Sequence, residues 1–420
     1  MLPETTLFRN ARLLTDNADV LGASSDVLVR GNRIAQVSSA PIAAEASMTI
    51  DVGGKTLMPG LIDAHAHITG LSLSPKNIAY PESEIVFAAS KYLQSSLMDG
   101  FTTIREAGGA DYRIAQLLDA GTIVGPRLFY SGRALTQTGG GADFRAAHEL
   151  TEPSGTVGPF SVMSVIVDGV DEVRRAAREE LRRGATQIKL FASGGVVFPS
   201  KSHPTKYEFS LAEMKAAVEE AAARSTYVMA HIYTDEGVRR CLEAGVRSIE
   251  HANFVTEQTV ATMAERGAFF VPTFISLVQR IETAPETGLS TTIVDNLKET
   301  VEEGHRVYGW AKREGVPIAL GTDLWGADAQ KSQLRELELR LELDSPAEII
   351  RSATSVNADL LMANGELGTV SPGAYADLLI LDGDPLTDIR VLSRPQQRLK
   401  LIMKDGVIVK NELGAQGNPS

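Results

Sequence analysis

Among the 420 residues there is a single cysteine, Cys241, so no intramolecular disulfide framework holds this chain together. Cys241 lies in VRRCLEAG, a helical pattern, and reads as a packed thiol rather than a nucleophile. No apolar run approaches the roughly 20 residues that a membrane helix needs, which argues against a membrane partner. The opening MLPETTLFRNARLL has neither the basic start nor the continuous apolar core of a secretory signal, so a cytoplasmic location is expected. Basic stripes are missing as well. With a net charge of −12, nucleic acid is not expected as the main partner. What remains is an ordinary globular composition, 43% hydrophobic and 22% charged. Such a chain is long enough for two or three domains, or for one large barrel with attachments.

Two styles of sequence alternate. The first part is strand-like, with LFRNARLLT, DVLVRGNRIAQV and SMTIDVGGKTLM separated by Gly, Asn and Asp turns. The end returns to that style in GTVSPGAYADLLILD and KLIMKDGVIVKN. The expectation is one small β-sandwich domain built discontinuously from residues 1–57 and 366–420. Between them a charged helical pattern repeatedly ends in glycine and is followed by a short apolar strand: LMDG-FTTIRE, LRRG-ATQIKL, LEAG-VRSIEH, AERG-AFFVPT and KREG-VPIALGTD. Glycine suits the left-handed position past a helix end, and the β-branched run behind it suits a buried parallel strand. PGLIDAHAH, PRLFYSG and STYVMAHIY bring the strands to eight. The fold class expected is α/β, with a (β/α)8 TIM-like barrel over residues 58–365. In that architecture chemistry sits at the carboxyl ends of the strands.

The polar residues fall there. Strand one ends in Asp63-Ala64-His65-Ala66-His67, and side chains two apart on a strand share a face. Strand four carries Lys189 in GATQIKLFASGG, strand five ends at His231, strand six at His251 and strand eight at Asp323. Imidazole and carboxylate suit Zn²⁺ and related divalent ions. Lys189 is the odd residue, because a buried amine needs a partner. Bland readings stand beside the sharp one. Lys189 could pair with a carboxylate, His231 and His251 could be core histidines, and Asp323 could cap a turn. Asp63 reads as a structural acid and His305 as a packing residue. His203 and His148, in loops, could touch substrate.

His65-x-His67, Lys189, His231, His251 and Asp323, in that order, resemble the binuclear type of the amidohydrolase superfamily, as does the tail pattern Pro372-Gly373-Ala374-Tyr375-Ala376-Asp377. The resemblance implies two divalent metal ions, zinc first among them, and a CO₂-derived carbamate on Lys189. His65, His67 and Asp323 would hold one ion, His231 and His251 the other, and carboxylated Lys189 would bridge them. A bridging hydroxide would attack the amide, with Asp323 shuttling the proton. Lys189 and His251 would take part in catalysis as well as in metal binding.

TQTGG, KLFASGGV, AHIYTDEGV and IEHANF look most like the Xaa-Pro-type dipeptidases and ochratoxin-hydrolysing relatives within that superfamily. Those relatives release a C-terminal amino acid from a dipeptide or an N-acyl amino acid. The small-molecule amide expected as substrate includes ochratoxin A, and homo-oligomers, octamers included, are implied. Mononuclear deaminases and imidazolonepropionase-like enzymes are the alternative class. They usually carry glutamate three residues after the strand-five histidine, where this chain has Thr234. A non-catalytic scaffold on the same fold is the third reading. Relatives often have Thr-Gly-Gly-His after strand three, whereas this chain has Gly141 in the last place. Candidate pocket residues are Val196, Val197 and Phe198 after strand four, Ile275 and Leu277 after strand seven, and Trp325 beyond Asp323. Tyr233 and Arg145 are candidate partners for a substrate carboxylate.

Overall fold

The structure is a computed structural model that describes residues 4–14, 19–71, 80–143, 145, 148, 163–196 and 206–413. Five strands come from the start of the chain: β1 (Thr5–Leu13), β2 (Ser24–Arg30), β3 (Arg33–Ser38), β4 (Met48–Asp51) and β5 (Thr56–Pro59). They join β15 (Leu378–Leu381), β16 (Leu399–Lys404) and β17 (Val407–Asn411) in one eight-stranded sheet of order β17-β16-β15-β5-β1-β2-β3, with β4 beside β1. The ends of the chain meet where β5 pairs antiparallel with β15, Leu57 opposite Ile380. Phe8, Val27, Leu57, Leu378 and Leu401 pack there in one apolar cluster, which accounts for the alternating hydrophobics in these segments.

The middle of the chain is a mixed α/β arrangement of parallel sheets. β6 (Leu61–Ala66), β7 (Phe101–Glu106) and β8 (Arg127–Tyr130) form one. The other runs β10 (Ser164–Ile166), β9 (Ala134–Thr136), β11 (Ile188–Phe191), β12 (Val228–Thr234), β13 (Ser248–Phe254) and β14 (Phe269–Val271). β9 and β10 add to the strands expected from the repeat. The helices between are α1 (Glu82–Met98), α2 (Tyr112–Asp119), α3 (Val170–Arg182), α4 (Leu211–Ala222), α5 (Asp235–Ala244) and α6 (Glu257–Glu265). Then come α7 (Phe274–Glu282), short α8 (Ala284–Thr287) and α9 (Thr291–Glu314). The glycine punctuation has the conformation its positions require: α5 and α9 end on left-handed Gly245 (φ 94°) and Gly315 (φ 73°). Among the described residues no helix is long and apolar enough to cross a membrane.

The eighth expected strand, residues 316–323, makes no ladder of its own; it contributes a single parallel bridge, Phe270 with Ile318. Pro317 has no N–H to give, and Leu320 N turns to Ser352 O and to Asn357 Oδ1. The segment still bonds on both sides. Ala319 N reaches Phe270 O at 2.8 Å, and Ala64 N reaches Leu320 O at 2.9 Å. Asp323 N reaches His65 O at 2.7 Å. Across the other break, Thr186 N donates to Tyr130 O at 2.8 Å, linking the β8 and β11 sides.

Candidate metal centre

His65 and His67, two apart at the end of β6, both turn their Nε2 toward Asp323 Oδ1, at 3.4 and 3.1 Å. The ligand atoms of these three side chains all lie within 4.8 Å of one another. Asp323 arrives from the irregular eighth segment with φ 52°, a conformation uncommon for any residue other than glycine. Its neighbour Gly321 explains the close approach, since a Cβ there would come within 2.7 Å of His65 Cβ. Trp325 covers this corner: its indole Nε1 donates to Asp323 Oδ1 at 3.2 Å and its ring lies 4.2 Å from that of His67. Ser276 Oγ, from α7, donates to Asp323 Oδ2 at 3.3 Å.

His231 on β12 and His251 on β13 face each other, His251 Nε2 lying 2.9 Å from His231 Nδ1. The rings of His65 and His251 are 5.3 Å apart, so the two groups of histidines share one centre. His251 has φ 73° and Thr273, which holds its Nδ1 at 2.8 Å, has φ 54°. Backbone strain thus gathers at three strand ends around the same spot, as it does at functional sites. Lys189 is almost completely buried (1% exposed). Burial draws its ammonium down to about 8, with Glu250 and Asp323 acting the other way.

The donor set suits divalent metal. Burial holds His67 near 4 and His251 near 3 and keeps His231 well below the usual imidazole range. These rings are therefore neutral at pH 7, the form that ligates. His67 Nδ1 and His231 Nε2 are sealed from solvent with no hydrogen-bond partner among the described residues. An unsatisfied buried nitrogen is costly; a cation offers His231 Nε2 a partner, whereas His67 already turns Nε2 toward Asp323. Asp323 is held charged: burial works against it, but His65 and His67 pull it well below the usual carboxylate range.

A buried ion pair escaped the sequence reading. Glu250, beside His251, accepts from His65 Nδ1 at 2.7 Å and from Arg105 Nη2 at 3.0 Å. Arg105, from β7, is completely buried, also meeting Ser248 Oγ at 3.1 Å and Ala64 O. This carboxylate orients His65 so that Nε2 faces the centre, as ligating histidines usually require. Burial alone would neutralise Glu250, yet Arg105 and His65 keep it strongly acidic. An arginine inside FTTIRE was the available signal. Asp63 accepts from His65 N (3.0 Å), Thr322 N (3.2 Å), Thr322 Oγ1 (2.6 Å) and Gln333 Nε2 (2.8 Å).

The other expected positions divide. Tyr233 stacks on His251 with centroids 5.0 Å apart and planes 9° off parallel, and packs with Val196 and Leu277. Ile275 is wholly buried, its N–H donating to Glu336 Oε2 at 2.8 Å. Arg145 is bonded to Asp143 through Nε and Nη2, and His148 is exposed. Val197, Phe198 and His203 lie outside the described residues. His305 packs edge-on against Phe274 at 4.8 Å, and burial raises the Cys241 thiol to about 12. Gly141 has no space for a larger residue, since a Cβ there would meet Ser193 O at 2.9 Å and Gly194 Cα at 3.2 Å.

Residues 56–409 match the amidohydrolase family. The ochratoxinase of Aspergillus niger is 34% identical over 360 residues, spanning 81% of this chain and 73% of that protein. Its crystal structure superposes with a TM-score of 0.88 at 28% identity, covering 100% of this chain and 99% of that one. A crystal structure of an amidohydrolase is 40% identical with a TM-score of 0.92, covering 98% of this chain and 100% of the other. A prolidase crystallised with N-methylphosphonate-L-proline is 37% identical, also at 0.92, covering 97% of this chain and 100% of that one.

Proposed function

Because the chain belongs to the amidohydrolase family, we propose that it is a metal-dependent hydrolase that releases a C-terminal amino acid from a dipeptide or an N-acyl amino acid, ochratoxin A among them. The observation that carries this is the convergence of His65, His67 and Asp323 with His231, His251 and buried Lys189 at one set of strand ends. The likeness to an ochratoxinase and a prolidase points to the amide bond.

His65, His67 and Asp323 would hold one divalent ion and His231 and His251 a second, with Lys189 between them as a carbamate. Zinc fits this donor set best. Such ions supply an acidified water and polarisation of the amide carbonyl. The protein's own groups do the rest. Asp323 Oδ1 lies beside the Nε2 atoms of His65 and His67 and accepts from Trp325, which leaves Oδ2, held by Ser276, to accept the proton of the attacking water and return it to the leaving nitrogen. Glu250 and Arg105 keep His65 in one orientation. Lys189, drawn down to about 8, holds an appreciable fraction of neutral amine at pH 7–8. That amine adds to CO₂ with loss of one proton. Trp325 over His67 shields this corner from bulk water.

The reading extends to a (β/α)8 barrel over residues 58–365, closed through segment 316–323, with a β-sandwich domain from 1–57 and 366–420. It extends also to a cytoplasmic homo-oligomer, checked by light scattering. The decisive experiment is a screen of dipeptides, N-acyl amino acids and ochratoxin A with zinc-loaded protein, reading free amino acid. Release of ammonia in its place would move the assignment to a deaminase or cyclic-amide hydrolase.

A further inference from the structure

Among the described residues, arginines withdrawn from solvent generally have partners. Arg105 meets Glu250, Arg340 meets Glu336, and Arg145 meets Asp143. Several have an Nε sealed from solvent and unbonded: Arg127, Arg183, Arg240, Arg247 and Arg280. The first four satisfy the rest of the guanidinium, on Asp405, on Asp111, on Phe209 O and on Asp359. Arg280 has no such bond or ion pair among the described residues, although it is partly buried. An N–H withdrawn from water without an acceptor is costly.

Its position makes the vacancy informative. Arg280 lies in the last turn of α7, four residues after Ser276, whose hydroxyl donates to Asp323 Oδ2 at 3.3 Å. Residues four apart share a helix face, and a long helical side chain leans back over the preceding turn. Arg280 therefore lies on the Ser276 face of α7. Burial draws its guanidinium down to about 10, and the groups that act in the other direction are Asp323 and Tyr233. Tyr233 in turn stacks on His251. The neighbouring charges on α7 point elsewhere, Glu282 being engaged by Arg335 at 2.7 Å.

We propose that Arg280 grips the free α-carboxylate of the substrate's C-terminal residue and makes the site selective for acids over neutral amides. The inference rests on the amino-acid-releasing reading above. In such a substrate the carboxylate carbon lies two bonds from the scissile nitrogen, about 2.5 Å away. Its anchor must stand near the group that protonates that nitrogen, and Arg280 shares a helix face with Ser276, which bonds Asp323. Planar guanidinium matches carboxylate with two parallel N–H bonds. Arg145, the alternative arginine, is already bound to Asp143.

The test uses zinc-loaded full-length protein, wild type, Arg280→Met and Arg280→Lys, with zinc content and melting temperature checked first. Acetate release from N-acetyl-L-phenylalanine is compared with that from N-acetyl-L-phenylalaninamide. Arg280→Met should lower kcat/KM for the acid by about 10²-fold or more, chiefly through KM, and leave the amide within about 3-fold, because a polar site discriminates strongly when its partner is lost. Arg280→Lys should restore part of the loss. An unchanged acid-to-amide ratio, or an equal fall on both, overturns the proposal. Calorimetric binding of L-phenylalanine and L-phenylalaninamide is measured in parallel. If the wild type hydrolyses neither acyl compound nor any compound of the screen above, the hydrolase reading fails by itself. Arg280-dependent preference for the amino acid over its amide would then still uphold the anchor, and absence of that preference would refute it.

Discussion

Asp323 and Glu250 are both buried acids beside His65, yet their surroundings give them different work. Asp323 has one oxygen beside the two histidines, accepting from Trp325, and one held only by a serine hydroxyl. On the proposed reading, replacing it with asparagine removes the proton carrier and a ligand at nearly constant shape. The expected result is a fall in kcat of at least about 10²–10⁴-fold, the usual worth of a positioned acid–base, with the melting curve close to that of the wild type. Near-normal turnover in D323N would remove the proton-transfer role. Glu250 carries no such role; it balances Arg105 and orients His65. Glu250→Gln should lower zinc affinity about 10–100-fold, as loss of a histidine's orienting partner does. It should also cost on the order of 3–5 kcal/mol in stability, because the Arg105 charge is left buried and unpaired. Chelator competition and denaturant titration separate the two effects.

At the scale of elements, α1 ends on Asp99, which is partly buried at its C-cap. A negative charge at a helix C-terminus is unfavourable. Burial also raises the Asp99 carboxyl to about 6 from 3.8, with Lys410 acting against the rise. A group whose folded pKa is raised contributes stability that is complete below its unfolded value and lost as pH climbs through the folded value. Asp99→Asn should therefore raise the melting temperature most at pH 7–8, with the gain shrinking as pH falls from about 6 toward 4. A gain that is flat across this window would show that something other than the charge is responsible. The strand ends around the candidate metal centre show the opposite economy. Left-handed His251, Thr273 and Asp323 are kept in place by bonds from neighbouring elements, Thr273 to His251 and Asp323 to His65.

At the scale of the whole molecule, the centre ties strands remote in sequence, so metal and fold should be linked. An ion that binds only the folded state stabilises by RT ln(1 + [L]/Kd), about 4 kcal/mol at 1,000 times Kd. Removing metal with a chelator should lower the melting temperature by several degrees, and zinc should restore it. A melting temperature indifferent to chelation would mean that the six residues bind no metal tightly.

The sequence by itself determined the alternation of helix and strand, the glycine stops and the identity of the candidate ligands, because each of these is local. A strand of period two puts His65 and His67 on one face, and a helix C-terminus calls for a left-handed glycine, whatever the rest of the chain does. The buried lysine was legible as an anomaly for the same reason. The tertiary structure alone decided the charge pairing. Arg105 and Glu250 are 145 residues apart, and neither has a local partner that would announce the other. Segment 316–323 looked like a strand and became an irregular strap, since Pro317 lacks a donor and Asn357 Oδ1 and Ser352 O take the Leu320 N–H. Arg280, unremarkable among the arginines of the sequence, became a candidate carboxylate anchor only once the fold had put it on the Ser276 face of α7 with no bonded partner among the described residues.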